Sequence, residues 1–165
     1  MDAKYLSKLT RFVFILFLSQ SVWAGTTSTS FTVSATVVNN CTTNATALAF
    51  GNYDPTSVSD TSGTNTVAVT CTQGDAYTIA LNGGTTSGGT IAQRKMTDGA
   101  SHTINYNIYQ NSGHTTLWGD GTTGTTQGGT GSAVAQNYTG YGSITAGQTA
   151  PSGSYTDTIT VTITF

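Results

Sequence analysis

Glutamate is absent from this chain of 165 residues, and charge of either sign is scarce. A paired-carboxylate catalytic site would therefore have to be assembled from a few scattered Asp residues. Histidine occurs only at His102 and His114, and cysteine only at Cys41 and Cys71, so no run of metal ligands at short spacing exists. Beyond the N-terminal segment the bases are Arg94 and Lys95, set against Asp54, Asp60, Asp75, Asp98, Asp120 and Asp157. Nucleic acid and anionic lipid both need clustered Lys and Arg, so this balance argues against either as a partner. Low charge also removes the usual defence of an exposed sheet edge, which natural proteins blunt with charge and especially with Lys.

Long apolar runs are missing too, with one exception. Phe12 to Leu18 is unbroken and apolar, comes after Lys4, Lys8 and Arg11, and leads to Val22-Trp23-Ala24. A basic start, a short apolar centre and a small residue before the cleavage point read as a secretory leader over residues 1–24; the run is too short for a membrane-spanning helix. Residues 25–165 are one domain's worth of chain. In an exported protein, two cysteines most simply form one disulfide, Cys41–Cys71.

This mature stretch is rich in Thr and Gly and alternates with period two. Phe31, Val33, Ala35 and Val37 share a parity, as do Val67, Val69 and Cys71. Tyr77, Ile79 and Leu81 form another set, and Ile104, Tyr106 and Ile108 a further one. In the last run Tyr155, Ile159, Val161, Ile163 and Phe165 oppose Thr156, Thr158, Thr160, Thr162 and Thr164. β-branched Thr tolerates water, so these are strands of a sheet with one wet face. Turn formers punctuate them, as in Asn82-Gly83-Gly84 and Asp98-Gly99, and the pattern predicts an all-β sandwich. If the chain stays extended through Asn39 and Asn40, both thiols point inward. Gly119 to Gly131 is expected to be a long flexible loop.

Motifs that suggest chemistry are weak. Gly119-Asp-Gly121-Thr-Thr-Gly124 fits G-x-G-x-x-G but lies between no strand and helix. His102 reads as a polar residue opening a strand, and His114 as part of a turn. Asn40, Asn44 and Asn137 begin formal glycosylation sequons, which carry little information in so Thr-rich a chain. No enzymatic activity and no cofactor are expected.

Taken in order, several motifs together resemble one family. They include Phe31-Thr-Val-Ser-Ala35, Cys41, Leu48-Ala-Phe50-Gly51-Asn-Tyr53-Asp54 and Val69-Thr-Cys71-Thr-Gln-Gly74. Tyr77-Thr-Ile-Ala-Leu81, Ile104-Asn-Tyr106-Asn-Ile108-Tyr109, Trp118-Gly-Asp-Gly121 and Tyr141-Gly-Ser-Ile144 come next. Ala146-Gly-Gln148 and Gly153-Ser-Tyr155-Thr-Asp157-Thr-Ile159-Thr-Val161 complete the set. The chain resembles the spore coat protein U family, which includes the Csu-type pilins of archaic chaperone–usher pili.

The resemblance implies an incomplete immunoglobulin-like β-sandwich, completed by a strand donated by a periplasmic chaperone and then by a neighbouring subunit at an outer-membrane usher. On that expectation residues 25–38 are the donor segment and 39–165 the sandwich. Phe31, Val33, Ala35 and Val37 are the donated side chains, and Ile159, Val161, Ile163 and Phe165 mark the final strand of the acceptor groove. Partners would then be copies of itself or related pilins, and the destination a pilus at the cell surface. From periodicity alone, Phe31 to Val37 is equally an ordinary first strand. A secreted monomeric sandwich that binds a surface, or a spore or capsule coat protein of the same fold, are the competing expectations.

Overall fold

The structure, a computed structural model, describes residues 23–165. The expected leader lies outside them except for Trp23 and Ala24. Internal contacts divide the chain between Ala35 and Thr36. In the first portion, residues 23–35 form neither helix nor strand and their side chains are exposed, with Phe31 at 86% and Val33 at 83%.

The second portion is all-β; among the described residues there is no helix. Its strands are β1 (Cys41–Ala45), β2 (Thr61–Cys71), β3 (Ala76–Leu81), β4 (Arg94–Thr97), β5 (Thr103–Tyr109), β6 (Gln127–Thr130), β7 (Gln136–Ile144) and β8 (Val161–Thr164). They form a five-stranded sheet in the order β1-β2-β7-β5-β4 and a three-stranded sheet in the order β6-β3-β8. Every strand pair is antiparallel.

The alternation read from the sequence is what the core uses. Val67, Val69 and Cys71 of β2, Tyr77, Ile79 and Leu81 of β3, and Ile104, Tyr106 and Ile108 of β5 are all buried. Each such side chain removed from water stabilises the fold by roughly 1.5–3 kcal/mol. Trp118, fully buried, joins them and donates its indole N–H to the Ile79 carbonyl at 3.0 Å. On β7 the inner face carries glycine instead. A Cβ at Gly142 would press into Phe50 and Leu48, so the segment after β1 fills the space a β7 side chain would otherwise take.

Three expectations need correction. Phe31 to Val37 alternates but is not a strand; the first strand starts at Cys41. Alternation reports suitability for a pleated surface, and this segment has no neighbouring strand to pair with. Gly119 to Gly131 is not a featureless loop. Asp120 Oδ1 accepts the Thr122 and Thr123 N–H groups, Trp118 bridges to Thr125, and β6 occupies its second half. The final run is longer in sequence than in ladder: β8 spans Val161–Thr164, leaving Ile159 before it and Phe165 after it.

Cys41 and Cys71 form a disulfide and stand directly opposite one another in the β1–β2 ladder, 4.1 Å apart at Cα. The bridge thus joins neighbouring strands of one sheet. Cys71 points inward and is buried, whereas Cys41 is only partly covered.

Candidate functional site

The sandwich is not closed on every side. β1 and β8 are both edge strands. Thr43 and Ala45 of β1 lie opposite Val69 and Val67, which are fully buried, yet Thr43 and Ala45 are exposed. Val161 and Ile163 of β8 lie opposite Leu81 and Ile79, again buried, yet both remain partly exposed. On each sheet the inner face is therefore covered up to the last strand and uncovered at it.

Between the uncovered parts runs a groove made of two adjoining hollows, of about 510 and 640 Å³. Leu48, Phe50, Met96 and Tyr155 line both. One wall is the chain after β1, from Ala45 to Tyr53, and the other is the chain leading into β8, from Ala150 to Val161. Core residues Val67, Leu81, Ile104, Ile108 and Ile144 show through between the walls. Where its lining is apolar, the groove gains stability from any side chains that exclude water from it, at roughly 25 cal/mol per Å².

The backbone on the β8 side is arranged to match. Asn82 donates its N–H to the Thr160 carbonyl at 3.2 Å, and Thr162 pairs with Ala80 two residues on. In an antiparallel ladder the peptide groups between such pairs point the other way, so those of Val161 and Ile163 face the unpaired edge. The edge thus presents backbone donors and acceptors beside an apolar trough.

One carboxylate stands in the wall. Asp157 Oδ1 accepts the N–H groups of Thr85 and Thr86, each at 2.9 Å, and both their hydroxyls; its Oδ2 accepts the Tyr106 hydroxyl at 2.8 Å. Burial alone would raise its pKa, but the hydrogen bonds from Tyr106, Thr86 and Thr85 prevail and hold it below the ordinary carboxylate range. Tyr106 is pushed far up, first by burial and then by its bond to Asp157, so it stays a neutral donor. Behind them Arg94 is fully buried, donating Nε to the Asn82 carbonyl and Nη2 to the Trp118 carbonyl, each at 2.9 Å. Burial lowers the Arg94 pKa, and the nearby Tyr106 and Asp157 oppose that shift.

The sequence-predicted residues fall into two groups. Ile159 and Val161 line the groove, Ile163 continues their face along β8, and Phe165 lies just past the strand, 53% exposed. Phe31, Val33, Ala35 and Val37 are exposed and unpaired in any strand. Asp157 and Arg94 do not stand out in the sequence. Both are charged residues that read as solvated, and only their alternation with apolar neighbours (Met96, and Tyr155 with Ile159) hints that they face inward.

The candidates for chemistry are dispersed. His102 Nδ1 meets Asp98 Oδ2 at 2.7 Å on the surface, while His114 sits in a turn against Tyr109. The glycines of Gly119 to Gly124 serve a tight turn: Gly121 and Gly124 have positive φ, and Gly119 accepts the Leu81 N–H. Among the described residues no three of His, Cys, Asp and Glu gather as metal ligands, and no helix is long and apolar enough to cross a membrane.

Two antiparallel sheets stacked around one core, with a groove left open between their edges, define an immunoglobulin-like β-sandwich. Residues 27–162 match the Spore Coat Protein U domain, and the chain belongs to that family. It is 35% identical to Protein U of Myxococcus xanthus over 128 residues, covering 72% of this chain and 71% of that one. Among solved structures it resembles a chain of the CsuC–CsuE chaperone–tip adhesion subunit pre-assembly complex from archaic chaperone–usher Csu pili of Acinetobacter baumannii. That match has a TM-score of 0.56 and 25% identity, and covers 79% of this chain. The chain spans 40% of that structure's length.

Proposed function

We propose that this protein is a structural subunit, shaft or adaptor, of a chaperone–usher surface pilus, assembled by donor-strand exchange and supporting adhesion and biofilm formation. The observation that carries the reading is the groove, whose two flanking strands have uncovered inner faces and whose β8 edge is unpaired. Residues 25–38 supply a donor of matching character, with Phe31, Val33, Ala35 and Val37 alternating and all exposed. A strand laid along β8 would satisfy the free peptide groups of Val161 and Ile163, and its alternate side chains would fill the trough. Before assembly a periplasmic chaperone would fill the same groove, an outer-membrane usher would exchange it for the next subunit's segment, and the leader would send the chain through the periplasm. Head-to-tail joining leaves a free end after each addition, so the product is an open filament.

The test is the Val33→Asp variant, exported together with its chaperone. A charge at Val33 would have to be buried in the groove unpaired. Wild-type protein is expected to yield fibres by electron microscopy, and the variant only chaperone-bound subunit. Fibres formed by Val33→Asp, or by protein lacking residues 25–37, would refute the donor assignment. The 35% identity to Protein U favours a second reading, a coat protein of the same fold. It predicts protein distributed over a spore or cell surface with no filaments.

A further inference from the structure

We propose that Asp157 is a positioning residue for strand uptake, a clasp that holds one wall of the groove in its receiving shape before any strand arrives. The inference rests on the acceptor reading of the groove and adds to it a residue that need not touch the incoming strand.

Three attachments fix the wall that leads into β8. Thr156 exchanges backbone hydrogen bonds with Thr97 at the end of β4, both at 2.9 Å. Thr160 donates its N–H to Asn82 Oδ1 at 2.9 Å and accepts the Asn82 N–H. Between them Asp157 takes hydrogen bonds from two places at once. Thr85 and Thr86 belong to the connection leaving β3 of the small sheet, and Tyr106 belongs to β5 of the large one. One carboxylate therefore ties the wall to both sheets.

The groove-facing residues of this wall stand on both sides of Asp157, Tyr155 before and Ile159 and Val161 after. Without the Asp157 bonds, residues 157–159 would be held to the sheets only by the packing of Ile159 on the core, and this stretch of wall would be free to sag into the trough between its attachments at Thr156 and Thr160. A strand would then have to order the wall as it docked, and ordering on binding costs association rate and affinity that a preformed site retains. Once docked, the strand's own ladder bonds hold the wall, so release depends little on the clasp. Gly84 is part of the same design: with φ +88, it lies where a Cβ would collide with the Asp157 carboxylate.

The experiment uses the full exported chain and a fluorescent peptide of residues 25–38, with uptake and release followed by anisotropy. Asp157→Ala is expected to slow uptake by at least about tenfold, the size of losing several hydrogen bonds to a charged group. Release of bound peptide should stay at the wild-type rate. Asp157→Asn keeps an acceptor oxygen for Thr85 and Thr86 and should restore most of the uptake rate. Uptake by Asp157→Ala at the wild-type rate would overturn the clasp. So would slowed uptake matched by an equal acceleration of release, because that marks ordinary stabilisation of the filled state. If Asp157→Ala does not fold, Tyr106→Phe, which removes one bond and keeps the ring, decides in the same way. If the wild-type chain takes up no peptide, the acceptor reading itself fails and the clasp falls with it.

Discussion

Ile79 and Ile163 face one another across the β3–β8 ladder, and only Ile79 is covered. The two residues share chemistry, sheet and face, and differ in what lies beyond them. Ile79 has β6 on its far side, while Ile163 has an open edge. The pair therefore separates what holds the subunit together from what, on the acceptor reading proposed above, is left for a partner.

Truncating each of the pair should show the separation. Ile79→Ala removes a fully buried side chain and should cost about 2–5 kcal/mol in urea unfolding of the isolated subunit. Ile163→Ala should cost roughly 1 kcal/mol or less there, since much of its surface is already wet. With the groove filled by the peptide of residues 25–38, the Ile163→Ala penalty should grow and the Ile79→Ala penalty should not.

Reduction of Cys41–Cys71, at a sequence separation of 30, should lower stability by about 3.6 kcal/mol on the chain-entropy model. Unfolding of wild-type protein with and without reductant measures this. The Cys41→Ser, Cys71→Ser double variant should match the reduced protein.

Asp157 makes stability depend on pH in a definite direction. Its folded-state pKa is depressed, so its contribution is complete above the ordinary carboxylate range, roughly pH 4, and is lost as pH falls below it. Asp98, first through its bond from His102, and Asp120, through the Thr123 and Thr122 N–H groups, are depressed too, so the wild-type curve alone does not isolate Asp157. The difference between wild type and Asp157→Asn should be largest near neutral pH and shrink as pH falls below the ordinary carboxylate range.

Arg94→Lys should be destabilising although charge is kept. The guanidinium reaches two carbonyls, those of Asn82 and Trp118, through separate N–H groups of its planar fork, and one ammonium cannot reproduce that fork. A loss of about 1–3 kcal/mol is expected from the carbonyl left unpaired, read as a shift in urea midpoint at constant slope.

The parts of this fold that announce themselves in sequence are those where side chains do the packing. β2, β3 and β5 carry uninterrupted apolar alternation, and every inward residue so identified in them is buried. β7 is not legible because Gly140 and Gly142 stand at its inner positions, where Leu48, Phe50 and Ile108 pack against bare backbone. β6 is hidden for a like reason: Gly128 and Gly129 pass close over Tyr77. The groove is half legible. Its β8 wall shows in the Ile159, Val161, Ile163 alternation, but the opposite wall, Ala45 to Tyr53, has no period. Beyond the hint that it faces inward, the bonding of Asp157 is not legible, because its partners Thr85, Thr86 and Tyr106 lie 51 to 72 positions away.

The place of the disulfide has a mechanical consequence. Cys41 begins β1, three residues after the end of the proposed donor segment at Val38. In a filament joined through that segment, tension enters each subunit there and meets a covalent bond to Cys71 at once. The load passes straight into β2, which is paired along nine residues with β7 at the centre of the large sheet. β1 beyond Cys41 is bypassed where the load comes in, and the load leaves the subunit through the groove that holds the neighbour's strand. A pulled fibre would therefore load β2 without peeling the β1 edge strand from its N-terminal end.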